Sequence, residues 1–391
     1  MLLTNARLIL PDRVQPRGHV RLSDGKIVEV SEQNLTPLDG EEVVELGGQF
    51  LAPGFIDVHI HGAVRRDSME ATPEAFDAIC RYHASGGTTS LALTTVTATA
   101  GQIMDVLRAV ETYRAAGKSP GAEVLGVHIE GPYFSREKPG AHRLDLIRNP
   151  QREEWQHFLQ VPGLVTQITV APELPGALEL IDACVDRGIR VSGGHTDAWD
   201  EEAAAAFAHG LRQATHTFNC MSSCRRRGPY RVAGFLEFVM SEPEILCELI
   251  ADARHVSPTL MRMLYNAKGP DGIALITDAA GGAGLAEGET FRIGEIEGVV
   301  RDGVGVTADG RALASSIASM SDCVRNMVQL VGVPLFEAVR MSTLNPARAL
   351  GLGGRKGVLA AGADADLVVL DDELNVTRTI VGGRTVFVAG S

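Results

Sequence analysis

Pro53-Gly54-Phe55-Ile56-Asp57-Val58-His59-Ile60-His61-Gly62 is an apolar run that ends in two histidines one residue apart and then a glycine. In an extended strand, residues i and i+2 face the same side, so His59 and His61 would aim both imidazoles at one point. Neutral imidazole ligates zinc, iron and related divalent ions, which makes the pair a candidate half of a metal site. An isolated His-x-His also arises when one histidine is packed and the other solvated. The reading therefore depends on whether the rest of the chain brings matching ligands.

Outward from this run the chain alternates between short apolar strands and helices. After the strand ending at His61, strands are expected at residues 90–96, 124–130, 166–171, 189–194, 213–218, 246–251 and 273–277. Helices separate most of them. Thr72-Pro73-Glu74 supplies an N-cap, a proline at the first helical position and an acid in the first turn, and that helix should stop at Gly86-Gly87. Further helices are expected over 175–187, over 200–209 and from Ser257-Pro258 onward. Eight alternating units over about 250 residues predict an α/β fold of the (β/α)8 TIM-barrel type. The open dinucleotide-binding sheet is the alternative, but no Gly-x-Gly-x-x-Gly follows the first strand.

Both chain ends read as short strands split by turn residues, with Ser23-Asp24-Gly25 near the start and Gly382-Gly383 near the end. Each is too short to fold alone, so together they should form one small β-sandwich. The expected organisation is residues 1–53 as its first part, 54–348 as the barrel, and 349–391 as its second part.

Composition narrows the function classes. The chain has 391 residues, 45% hydrophobic and 22% charged, within ordinary globular usage. A net charge of −13 argues against nucleic acid as a partner, which needs a basic face. No stretch approaches the ~20 apolar residues of a membrane span. The first residues lack a basic region leading into an apolar run, so no signal peptide is expected. Six scattered cysteines suggest no dense disulfide framework, and a cytoplasmic enzyme is expected.

In such a barrel, functional groups sit at the C-terminal ends of the strands. Strand one ends in His59 and His61, strand three in His128-Ile129-Glu130-Gly131-Pro132, and strand five in Gly194-His195-Thr196. Strand six carries Thr215-His216-Thr217-Phe218-Asn219, strand seven is followed by Asp252 and His255, and strand eight ends in Thr277-Asp278. Any one of these has an ordinary explanation as a bonded core histidine or a helix cap. Polar groups from six strands converging on one mouth point to a metal centre.

With these residues in view, the chain resembles the N-acetylglucosamine-6-phosphate deacetylases of the amidohydrolase superfamily over nearly its whole length. The most specific matches are Gly126-Val127-His128-Ile129-Glu130-Gly131-Pro132-Tyr133 and Gly140-Ala141-His142. Ser192-Gly193-Gly194-His195-Thr196-Asp197-Ala198, Leu275-Ile276-Thr277-Asp278-Ala279 and Met341-Ser342-Thr343-Leu344-Asn345-Pro346-Ala347 add to them. Glu130 stands where many amidohydrolases carry a carboxylated lysine.

The resemblance implies hydrolysis of an acetamide on an amino sugar, N-acetylglucosamine-6-phosphate first, giving glucosamine-6-phosphate and acetate. A related sugar such as N-acetylgalactosamine-6-phosphate, and a cyclic amidase or aminohydrolase activity, remain alternatives. It also implies one or two divalent transition metals per subunit, zinc foremost, with iron, manganese or cobalt as alternatives. Glu130, His195 and His216 would hold one, and His59 and His61 with Glu130 a second, with Asp278 beside them as proton acceptor. His142 would stabilise the developing oxyanion. Ala141, Asn219, Cys220, His255, Leu313, Ala314 and Ser315 match substrate-contacting positions. Arg227, the last of Arg225-Arg226-Arg227, would reach the sugar phosphate across a homodimer interface. Departures from the family pattern fall in the substrate region, at Cys220, the run Ala251-Asp252-Ala253-Arg254-His255, Ser315 and the Ala279-Ala280-Gly281-Gly282 loop.

Overall fold

The computed structural model describes every residue except Lys118 and Ser391. Eight parallel strands pair in sequence order: Phe55–Ile60, Thr88–Thr94, Glu123–Glu130, Val165–Val170, Arg190–Gly193, Gln213–Ala214, Leu246–Ile250 and Ile273–Ile276. Most are buried along their whole length, as strands covered by helices must be. The first helix shows how local signals place the cover. Thr72 accepts the Ala75 N–H, Pro73 takes the first helical position, and Pro73–Ser85 buries Phe76, Ile79 and Cys80. The expected (β/α)8 TIM barrel is the fold the chain adopts.

Strand eight does not continue the ladder onto strand one. Side chains and strand ends make that junction instead. The buried Asp57 carboxylate accepts from the Thr277 hydroxyl at 2.5 Å, and from the Thr277 and His59 N–H groups at 3.3 Å each. Just beyond, the Asp278 N–H donates to the His59 carbonyl at 3.0 Å and the His61 N–H to the Ala279 carbonyl at 2.7 Å. The closure thus pins the backbones of His59, His61 and Asp278 together.

Strand two, Thr88–Thr94, keeps its expected length but starts and ends earlier in the chain, and strand six is much shorter than expected, only Gln213–Ala214. In strand six the reason is backbone conformation: His216 has φ of 31° and Phe218 of 82°, which take the chain out of the ladder. The helix expected over 175–187 is Ala177–Val185.

The two chain ends join one eight-stranded sheet, with Phe50–Pro53 antiparallel to Leu367–Leu370 as the seam. Its core includes Leu3, Leu8, Val20, Ile27, Leu51, Leu367 and Ile380. An element absent from the expectation follows strand eight: a four-stranded antiparallel sheet of Thr290–Ile293, Ile296–Arg301, Val304–Thr307 and Leu313–Ser315.

The β domain meets the barrel near the N-terminal end of strand three, at a buried lysine. The Lys356 ammonium, on a side chain 2% exposed, lies 2.6 Å from Glu123 and 3.2 Å from Asp364, and also bonds Asp366. Glu123, Asp364 and Asp366 have the spacing of a metal cluster, but the ammonium already supplies the cation there. Breaking a buried ion pair typically costs about 3–5 kcal/mol, so Lys356→Met is expected to lower the urea unfolding midpoint clearly. An unchanged midpoint would show that the carboxylates relax into solvent.

Candidate metal centre

One carboxylate organises the mouth. Glu130, at the end of strand three and 1% exposed, faces four imidazoles. Its Oε2 lies 3.3 Å from His59 Nε2 and 3.1 Å from His61 Nε2. Its Oε1 lies 3.3 Å from His195 Nε2 and 3.1 Å from His216 Nε2. Each oxygen therefore serves a different histidine pair, giving two ligand clusters that share Glu130. Asp278 adds Oδ1 at 3.4 Å from His59 Nε2 and 3.2 Å from His61 Nε2.

The turns that deliver these side chains are strained. His195, His216 and Asp278 have φ of 48°, 31° and 50°, where non-glycine residues are uncommon. Gly140 shows the crowding: a Cβ there would lie 2.9 Å from Cys220 Sγ and 3.1 Å from His195 Cε1. Glycine suits that loop, whose backbone φ is 57°, because it closes over His195 without displacing either side chain.

The ring protons are assigned by the outer hydrogen bonds. His59 Nδ1 donates to Glu248 at 3.0 Å and His195 Nδ1 to the Lys138 carbonyl at 2.9 Å. Both neutral rings then turn an Nε2 lone pair toward Glu130. His195 Nε2 and His216 Nε2 are 3.1 Å apart, and His59 Nε2 is buried with no hydrogen bond of its own. Lone pairs crowding one point in this way suit a shared cation.

Electrostatics point the same way. Burial pushes the Glu130 carboxyl up, but His59, His195 and His216 outweigh it and hold it well below the usual range. Burial opposes charge on His61, yet hydrogen bonds with Asp278 and Glu130 raise it to about 9. The carboxylates draw positive charge into a buried site. A divalent cation supplies that charge and leaves the imidazoles neutral to act as ligands, so the donor set fits a transition metal.

A cleft of about 260 Å³ opens over these ligands. Ala141, His142, Asn219, Cys220, His255, Leu313 and Ala314 all line it, as does Asp278. His142 Nδ1 accepts the Thr97 N–H at 3.1 Å, so the neutral ring carries its proton on Nε2, 4.0 Å from Glu130. Burial pushes His142 down to about 3, the charge on His195 adding to the effect, so it is a neutral donor. Burial also opposes charge on His255, but Asp252, 2.7 Å from its Nδ1, raises its pKa.

Three residues lie elsewhere. Ser315 is 1% exposed and does not line the cleft beside Leu313 and Ala314. Arg227 is on a hairpin formed by Arg225–Arg227 and Tyr230–Val232, lying over the Trp199 ring at 4.2 Å and 2.6 Å from Glu201. Within its own chain it does not line the cleft. His128 lies in the barrel interior, 2.8 Å from the Thr169 hydroxyl, and burial pushes it down to about 3, so it is a core histidine.

Two contributors escaped the sequence reading. Glu248 sits inside the apolar run Leu246-Cys247-Glu248-Leu249-Ile250, and an acid in a strand buried on both faces was the available signal. Ile293 and Ile296 reach the cleft from the four-stranded sheet. Asp302-Gly303, with φ of 53° and 74°, was a legible hairpin turn for that sheet.

Protein purified without added metal is expected to carry about one to two transition-metal ions per chain by elemental analysis. His195→Ala should lose metal and activity together. A fully active, metal-free protein insensitive to chelators would contradict the assignment.

Comparison with known proteins agrees with this geometry. The model of the amidohydrolase family matches residues 50–386. An N-acetylglucosamine-6-phosphate deacetylase from Lysinibacillus sphaericus is 37% identical over 98% of this chain and 97% of its own. An N-acetylgalactosamine-6-phosphate deacetylase from Escherichia coli O157:H7 is 34% identical over 98% of both. Among solved structures, the D267A mutant of N-acetyl-D-glucosamine-6-phosphate deacetylase from Mycobacterium smegmatis, in complex with N-acetyl-D-glucosamine-6-phosphate, superposes with a TM-score of 0.90. It is 32% identical and covers 99% of both chains.

Proposed function

Because the chain belongs to the N-acetylglucosamine-6-phosphate deacetylases of the amidohydrolase superfamily, we propose that it hydrolyses the acetamide of N-acetylglucosamine-6-phosphate, releasing acetate and glucosamine-6-phosphate. The observation that carries this reading is Glu130, whose two oxygens each face a separate histidine pair beside Asp278. N-acetylgalactosamine-6-phosphate is the competing substrate, since one relative of similar identity is named for it. Residues 54–348 serve as the catalytic module, with 1–53 and 349–391 as the β domain.

His59 and His61 with Glu130, and Glu130 with His195 and His216, would each hold a divalent transition metal, zinc foremost. Bound there, such an ion lowers the pKa of water toward neutrality and polarises the acetyl carbonyl. The protein's own groups do the rest. Burial pushes the Asp278 carboxyl up, but His59 and His61 outweigh it and hold it well below its usual range, so it is ionised and ready to accept a proton. It takes that proton from the attacking water and passes it to the amine nitrogen as the C–N bond breaks. His142, neutral with its proton on Nε2, donates to the oxygen that gains negative charge. Ile293, Ile296 and Leu313 line the cleft from the four-stranded sheet and limit water there.

A phosphate needs a cation, and the described residues lining the cleft include no lysine or arginine. Arg227 of a second copy of this chain would supply it, on the exposed hairpin whose tip carries Tyr230, 72% exposed. This makes the functional unit a homodimer. A cytoplasmic setting is supported by the six unpaired cysteines, as a reducing compartment keeps them. Among the described residues no helix is long and apolar enough to cross a membrane.

Acetate release from acetamido sugars, with and without the 6-phosphate, tests the reading. N-acetylglucosamine-6-phosphate should be the best substrate, and no acetate from any of them would refute it. Asp278→Asn should retain metal and lose turnover by on the order of 10² or more. Near-normal turnover in that variant would assign proton transfer elsewhere. Arg227→Ala should weaken the phosphorylated sugar selectively, by ~1.5–3 kcal/mol in transition-state stabilisation. Mixing it with Asp278→Asn should restore activity through hybrid dimers. Equal losses on both sugars would make Arg227 structural.

A further inference from the structure

Glu248 is fully buried in the middle of strand seven, and no step of the proposed chemistry uses it. Its carboxylate is saturated with donors. Oε1 accepts from Gln167 Nε2 at 2.6 Å and from Gln213 Nε2 at 2.6 Å. Oε2 accepts from His59 Nδ1 at 3.0 Å and from the His216 N–H at 3.2 Å. Gln213 Nε2 also donates to Gln167 Oε1 at 2.7 Å, which turns both amide groups the right way to donate to Glu248. Four donors on two oxygens make this an acceptor only, with no vacant lone pair for proton transfer.

The consequence falls on one imidazole. The bond to Glu248 holds the His59 proton on Nδ1 and leaves the Nε2 lone pair facing Glu130 Oε2, 3.3 Å away. The other rings differ. His195 is backed by a main-chain carbonyl, and Nδ1 of His61 and of His216 has no partner among the described residues. Among the described residues, His59 is thus the one ring of the four with a carboxylate behind its Nδ1. Such a partner fixes ring orientation and tautomer and makes the imidazole a stronger ligand.

We propose that Glu248 is a positioning residue that makes His59, His61 and Glu130 a metal position in its own right. The proposal rests on the metal-site reading above, and its effect is one-sided. Glu248 reaches the His195–His216 cluster only through a main-chain N–H, which sets no tautomer. Glu248→Gln places an amide N–H₂ among groups that are all donors, so one side of the network must break.

The test titrates zinc into metal-free wild type, Glu248→Gln, His59→Gln and the double variant, in competition with a chromophoric chelator. Circular dichroism and the urea midpoint of the metal-free proteins control for folding. Wild type should show two sites. Glu248→Gln should weaken one of them about 10–100-fold and leave the other unchanged. In the His59→Gln background, Glu248→Gln should cause no further loss. Two unchanged sites, equal weakening of both, additive loss in the double variant, or a single site in wild type would each overturn the proposal. A wild type that binds no zinc would refute the metal-site reading and this inference with it. Should Glu248→Gln fail to fold, imidazole NMR of the zinc-loaded wild type decides: the His59 proton should sit on Nδ1, and a proton on Nε2 would overturn the assignment.

Discussion

A carboxylate with almost no exposed surface has to be met by positive charge or hydrogen bonds, and the mouth of this barrel is arranged around that requirement at Glu130. Four imidazoles from strands one, five and six point at its two oxygens. Burial opposes charge on His61 and His195, yet Asp278 and Glu130 raise His61, and Cys220 with Glu130 raises His195 to about 10. A divalent cation resolves the tension without placing protons on the ligands.

The fold makes the arrangement possible by spending regular structure at one end. Strand six lasts two residues before His216 turns into the left-handed region, and Asp278 makes a similar turn after strand eight. Such backbone conformations cost stability and persist only where neighbours hold them. The neighbours here are a polar layer within the barrel, with Asp57 tying strand one to strand eight, and Gln167 and Gln213 tying strands four and six to Glu248 on strand seven. The other end of the barrel is plain by contrast. Its larger cavity, about 650 Å³ and lined by Tyr113, Lys356 and Arg384 among others, has no histidine among the described residues that line it.

Much of this was legible in the chain. His59-Ile60-His61 on a strand end, repeated strand–helix punctuation and the strand-end rule for barrels gathered His128, Glu130, His195, His216, Asp252, His255 and Asp278 at one mouth, and the family resemblance singled out Glu130, His195, His216 and Asp278 as partners. Periodicity could not show where strand six stops, because Thr215 to Phe218 has the letters of a strand and the break lies in φ. Glu248 was missed for a related reason: strand seven was read by its apolar neighbours, and the buried acid among them was passed over. Arg227 marks another boundary, since its own chain pairs it with Glu201 and Trp199, and any role in the cleft needs a second copy. Ser315 illustrates the limit of matching a segment as a whole, for Leu313 and Ala314 reach the cleft while Ser315 is buried beside Gly305.

Everything at the mouth turns on Glu130 being shared by two metal positions. Crystals of the zinc-loaded protein, measured for anomalous scattering on both sides of the zinc absorption edge, test it most directly. Two zinc peaks are expected, one among His59, His61 and Glu130 and the other among Glu130, His195 and His216. Zinc absent from the barrel mouth, or bound there without contact to Glu130, would contradict it.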